Sequence, residues 1–146
     1  MVLATTDAAG YRIVLILHIV LIVVGFGGLF VAPMLGRAEG ASRSVAGAMA
    51  AYVQKIAVPS IAVAGILGFA MIGMSDKEFK FSQSWVGIAM LLWIVELGVL
   101  WFGVAATEKK IASGDDSAAA RLPMFTGISH LLLLVLVYLM VFKPGA

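Results

Sequence analysis

The chain contains no cysteine, which rules out disulfides, a thiol nucleophile and thiolate metal sites. Charge is also scarce: Asp, Glu, Lys and Arg make up 12% of the 146 residues, against about 25% in soluble domains. The formal net charge of +2 is too small to point to nucleic acid as a partner. No glycine-rich phosphate loop, no Ser–His–Asp arrangement and no paired carboxylates inside an apolar run occur in the sequence. What fills the chain is apolar: 62% hydrophobic residues and a mean hydropathy of +1.09. This is the composition of an integral membrane protein, with room in residues 1–146 for one bundle and no separate soluble domain.

Four runs reach the ~20 residues needed to cross ~30 Å of hydrocarbon: about Tyr11–Leu35, Ile56–Met74, Trp85–Ala106 and Pro123–Phe142. The first is too long for a signal-peptide core. Asp7, with no Lys or Arg in Met1–Gly10, denies it a basic leader, so it reads as a retained span. Tyr11, Trp85, Trp101, Tyr138 and Phe142 fall near span ends, where interfacial aromatics belong. Short connections make consecutive helices antiparallel neighbours, so the expected fold is all-α, an up-down four-helix bundle with four transmembrane helices.

The connections differ in character. Gly40–Gln54 is alanine-rich and free of proline, and predicts a helix from about Ser42 that enters the membrane near Lys55. Pro59 should kink that helix by removing a backbone donor. Ser75–Ser84 interleaves charges with Phe79 and Phe81, suiting an interfacial segment, and Thr107–Arg121 reads as the most mobile loop. Asp115–Asp116 is most simply a solvated turn, and the eight methionines are core material.

Basic residues set the orientation. Arg37, Arg43, Lys55, Lys109, Lys110 and Arg121 lie on the side of connections one and three, and Arg12, Lys77, Lys80 and Lys143 on the other. Under the positive-inside rule the excess favours both termini outside. Small residues recur every four positions at Gly28, Ala32 and Gly36, and again at Ser60, Ala64 and Gly68. Such faces serve close helix packing within the chain or homo-oligomerisation.

His18, Glu96 and His130 are the ionisable residues set deep in the spans. A charge at the bilayer centre costs about 2.5–3.5 kcal/mol on insertion scales, so such residues face a bundle interior. Counting from span ends at ~1.5 Å per residue puts them roughly 10, 16 and 18–20 Å from the outer surface, within one central slab. Gly25 and Ala32 lie two and four turns beyond His18 on its face, with Gly28 close by, leaving space for a flat group. His18 and His130 are the only histidines, so a bis-histidine b-type haem would use that pair, with Gly25 beside it. The plainer alternative gives each histidine one hydrogen bond to a neighbouring helix, with Thr126 and Glu96 as ready partners. Glu96 could orient an imidazole, relay protons or bind a cationic substrate, or make a structural hydrogen bond. Two histidines and one carboxylate also match non-haem iron or zinc in kind, without close ligand spacing.

The first span, LHIVLIVVGFGGLFVAPML, resembles that of small bacterial four-helix membrane proteins: the HemJ-type protoporphyrinogen oxidases and the related copper-resistance-D-like and uncharacterised integral membrane families. His18, Phe26, Gly28, Leu29, Phe30, Pro33 and Leu35 match the pattern, while Gly25 replaces a tryptophan and Met34 a common arginine. The resemblance covers about a sixth of the chain and implies haem ligation by His18. Glu96 stands nearest the oxidases' third-span lysine, with opposite charge, and His130 is extra, so the oxidase activity is not carried over.

These observations favour a bacterial cytoplasmic-membrane protein, a non-catalytic or electron-transfer-associated accessory subunit of a larger, respiratory-type assembly that could hold a b-type haem between His18 and His130. Its partners would be the lipid bilayer and either other membrane subunits or further copies of itself. A homodimeric, proton-coupled exporter working through Glu96 is the first alternative, and a membrane oxidase of the haem pathway the second.

Overall fold

The computed structural model describes residues 8–35 and 43–145, with side chains for 8–31 and from 43 onwards. Gly36 and Arg37 therefore lie outside the described residues, as does the side chain of Ala32. All regular structure among the described residues is helical. Helix α1 covers Ala9–Leu35. A second rod runs from α2 (Arg43–Tyr52) through a π-helical segment (Val53–Ala57) into α3 (Val58–Met74). A third joins α4 (Ser84–Gly98), a π-helical segment (Val99–Ala105) and α5 (Ala106–Ala112). The last combines a 3₁₀ turn (Asp116–Arg121) with α6 (Leu122–Phe142). All four rods are long and apolar enough to cross a membrane, and together they form the expected all-α up-down bundle.

Local sequence explains the breaks. Pro59 cannot donate to the carbonyl four residues back. The chain widens just before it, and the Val58 amide donates to Val53 across a π turn. The helix predicted from about Ser42 is described from Arg43. The third connection is more regular than the predicted mobile loop. Helix continues to Ala112 and resumes as 3₁₀ at Asp116, because Ala-rich stretches on either side of Ser113–Asp115 favour helix and leave only those residues for the turn. Between α3 and α4, the Ser75 hydroxyl donates to the Ile72 carbonyl at 2.8 Å and accepts the Phe79 amide at 3.0 Å. Asp76 and Lys77 take left-handed conformations there (φ 49° and 69°).

The closest helix pairing is α1 with α3, followed by α2 with α5 and then α4 with α6. At the end remote from the termini the α1–α3 and α4–α6 pairs close on each other. There α2 packs on α5, the two π segments meet, and Phe26, Leu29, Val53, Ile61, Leu100 and Val104 form the main core. Tyr52 ties α2 to α1, its hydroxyl donating to the Val24 carbonyl at 2.5 Å and accepting the Gly28 amide at 3.0 Å. A Cβ on Gly28 would lie 2.5 Å from the Tyr52 ring, so this first small-residue position serves packing within the chain. At the terminus end the pairs splay apart. Outward faces are apolar throughout, as at Phe102, Leu134 and Val141, which suits a hydrocarbon surround.

Candidate functional site

The splay leaves a cavity of about 590 Å³ among α1, α3, α4 and α6 at the terminus end. This is within the usual 300–1,000 Å³ of small-molecule sites. Its floor is formed by Phe26, Ile61, Trp93 and Leu133, and its mouth lies at the level of Tyr11 and Lys143. Trp93 is fixed by its indole Nε1, which donates to the Ile61 carbonyl at 2.9 Å, and by edge-on contact with Phe69 at 5.7 Å. At the mouth, the left-handed Lys143 caps α6, its amide donating to Leu139 at 2.9 Å, and its ammonium sits 3.9 Å over the Phe79 ring. The cavity also opens sideways. Val23 on α1 and Val141 on α6 both line it, yet are 65% and 66% exposed, so they form the lips of a lateral slot between helices that barely touch there.

His18 lies on the cavity wall and is only 8% exposed. Its Nδ1 is 2.7 Å from the Ala64 carbonyl. A carbonyl accepts only, so Nδ1 carries the ring proton in this contact. The expected hydrogen bond to a neighbouring helix is present, made to α3 backbone rather than to Thr126 or Glu96. Thr126 instead donates to its own helix, to Leu122 at 3.0 Å.

Glu96 and His130 sit elsewhere. Glu96 is fully buried one turn beyond the cavity floor, and the Ser129 hydroxyl donates to its Oε1. Its Oε2 has no partner among the described residues, nor has His130 Nε2. His130 stacks on Phe30 with ring centroids 4.5 Å apart and planes 9° apart. Phe30 is twelve residues further along α1 than His18, about 18 Å at 1.5 Å per residue. The two histidines are therefore at different levels, not in one central slab.

Axial ligands of one iron must flank a single plane, which this separation does not permit. The glycine face is also filled, since a Cβ on Gly25 would lie 2.6 Å from Ile61. The residues His18, His130 and Gly25 do not fit a haem held between them, and no group of three or more His, Cys, Asp or Glu able to hold a metal ion occurs among the described residues. The physical reason is register: depths counted from span ends assume flush helices. The actual register follows side-chain fit, with Gly10 beside Met74 and Gly65 beside Trp93.

Sequence reasoning missed Ser129 as the partner of Glu96, and Trp93 as part of a cavity floor. A hydroxyl inside the fourth span was the available signal for the first. For the second it was the pairing of a large indole with a glycine on the neighbouring helix.

Comparison with protein-family models, with curated proteins and with solved structures finds no match in any of the three. The likeness of the first span rests on its own residues.

Proposed function

We propose that the protein is a non-catalytic, multi-pass subunit of the bacterial cytoplasmic membrane, with both termini outside, that binds a lipid-soluble small molecule between its two helix pairs. It serves as an accessory component of a larger, respiratory-type membrane assembly, and the bound molecule takes the place of the haem expected from the histidine pair. The observation that carries this reading is the apolar cavity with its lateral slot. A ligand reaching it through the slot comes from the bilayer rather than from water. The floor is aromatic, and His18 sets a polar group into the body of the apolar wall, with Tyr11 and Lys143 at the mouth, as in sites where a few polar groups fix orientation.

The test is purification in mild detergent, reconstitution in lipid nanodiscs and native mass spectrometry of the intact protein. The expected result is a retained lipophile whose release changes Trp93 emission. A protein that carries nothing and binds no lipophilic probe would overturn the reading. Co-purification with a larger complex tests the accessory role separately.

A second reading is favoured by one observation, the Oε2 of Glu96, which has no partner among the described residues and lies one turn beneath the cavity floor. In a proton-coupled exporter that oxygen would exchange a proton as substrate leaves the cavity. Glu96→Gln would then abolish proton-coupled flux in proteoliposomes with the bundle intact, and undiminished flux would exclude it.

A further inference from the structure

We infer that the cavity takes a lipophile bearing a hydroxyl head group, a phenol, hydroquinone or long-chain alcohol, whose O–H donates to Nε2 of His18. This rests on the reading that the cavity holds a lipid-soluble molecule, and it specifies the chemistry of that molecule.

The polar atoms on the walls decide the matter. Trp93 Nε1 is committed to the Ile61 carbonyl at 2.9 Å, and Trp85 Nε1 donates to Gln83 at 3.3 Å. Tyr11 and Lys143 lie at the mouth, with the Lys143 ammonium over Phe79. In the body of the cavity this leaves His18. Its Nδ1–H is used on Ala64, and its Cε1 and Nδ1 are 3.6 and 3.8 Å from the Cβ position of Gly68 on α3. Nε2 makes no hydrogen bond among the described residues, and unlike Nε2 of His130 it is not sealed away without a partner. In the uncharged ring, an imidazole protonated at Nδ1 presents a lone pair at Nε2. The body of the cavity thus offers an acceptor and no spare donor. A ketone, quinone or ether finds donors only at the mouth, at Tyr11 and Lys143, whereas a hydroxyl finds its complement at His18.

The dimensions suit such a ligand. From His18 to the floor at Phe26 is eight residues along α1, about 12 Å, and from His18 to Tyr11 is about 10 Å. A ring lying against Trp93 and Phe69 can place its hydroxyl at His18 while its chain leaves through the slot.

The probe pair is an alkyl hydroquinone and its dimethyl ether, titrated under oxygen-free, mildly alkaline conditions into nanodisc-embedded protein with Trp93 fluorescence as readout. The hydroquinone is expected to bind about tenfold more tightly, the worth of one hydrogen bond in an apolar site, and the preference should vanish in His18→Leu. Equal binding of both probes by the native protein would overturn the head-group inference and leave the cavity reading standing. Binding of neither would overturn both. A preference that persists in His18→Leu would remove His18 from the site. Should that variant fail to fold, nitrogen NMR of the native protein serves instead. The hydroquinone should move the Nε2 resonance of His18 and keep the Nδ1–H signal, and an unmoved Nε2 resonance would overturn the proposal.

Discussion

Trp93 occupies the space that a side chain at Gly65 would need: a Cβ there would lie 2.2 Å from the indole Cε2. The pair joins α3 to α4 and sets the floor of the cavity at once, because the same indole is pinned to the Ile61 carbonyl. Gly65→Ala should therefore displace the ring. The expected cost is about 1–3 kcal/mol, the range for overpacking a fitted core, seen as a lower melting temperature in detergent with altered Trp93 emission. An unchanged melt and spectrum would mean that the helices slide to make room.

Ser129→Ala should be among the more damaging single-atom deletions in the bundle. Glu96 is fully buried and Ser129 is the one partner its side chain has among the described residues. Removing the hydroxyl strands a second carboxyl oxygen, at about 1–3 kcal/mol for a buried unsatisfied group. Ser129→Thr, which keeps the hydroxyl, should recover most of the loss, and equal melting of the two variants would contradict this.

His130→Phe should fold as well as the native protein, within about 1 kcal/mol. The new ring keeps the stack on Phe30 and removes a buried nitrogen that has no partner among the described residues. The visible spectrum of the purified protein should also be indifferent to this change. Loss of a haem signal on His130→Phe would show that the histidine pair comes together after all.

Much of this was legible in the chain. The four spans, the helix after Ser42 and the disturbance at Pro59 follow from local physics: run length, composition and a missing donor. Glu96 was legible as buried because an unpaired carboxylate has no stable place in lipid. Its pairing with Ser129 was not, because serine is common on helix faces and nothing local says which one turns inward. The misplacement of His130 relative to His18 has the same origin, since relative height depends on contacts such as Gly65 with Trp93 that join distant parts of the sequence. The cavity arises from splay between helix pairs, a property of no single segment.

Outside the spans, Asp115 offers a titration test. The Ser117 hydroxyl, helped by nearby backbone amides and by Lys110, holds its carboxyl below the ordinary value of 3.8. A carboxyl depressed in the folded state contributes stability above its unfolded value, and that contribution is lost as pH falls through the folded one. Ser117→Ala should move the Asp115 midpoint upward in carbon NMR. A midpoint that stays put would assign the depression to the backbone and Lys110 instead.

On the proposed reading, the slot between Val23 and Val141 changes what affinity means for the ligand. A molecule that arrives by sliding sideways never leaves the hydrocarbon, so most of its hydrophobic transfer is complete before it meets the cavity. Occupancy then follows the ligand's mole fraction in the surrounding lipid, not its dissolved concentration. Diluting the membrane with more lipid should empty the cavity as effectively as a competitor would.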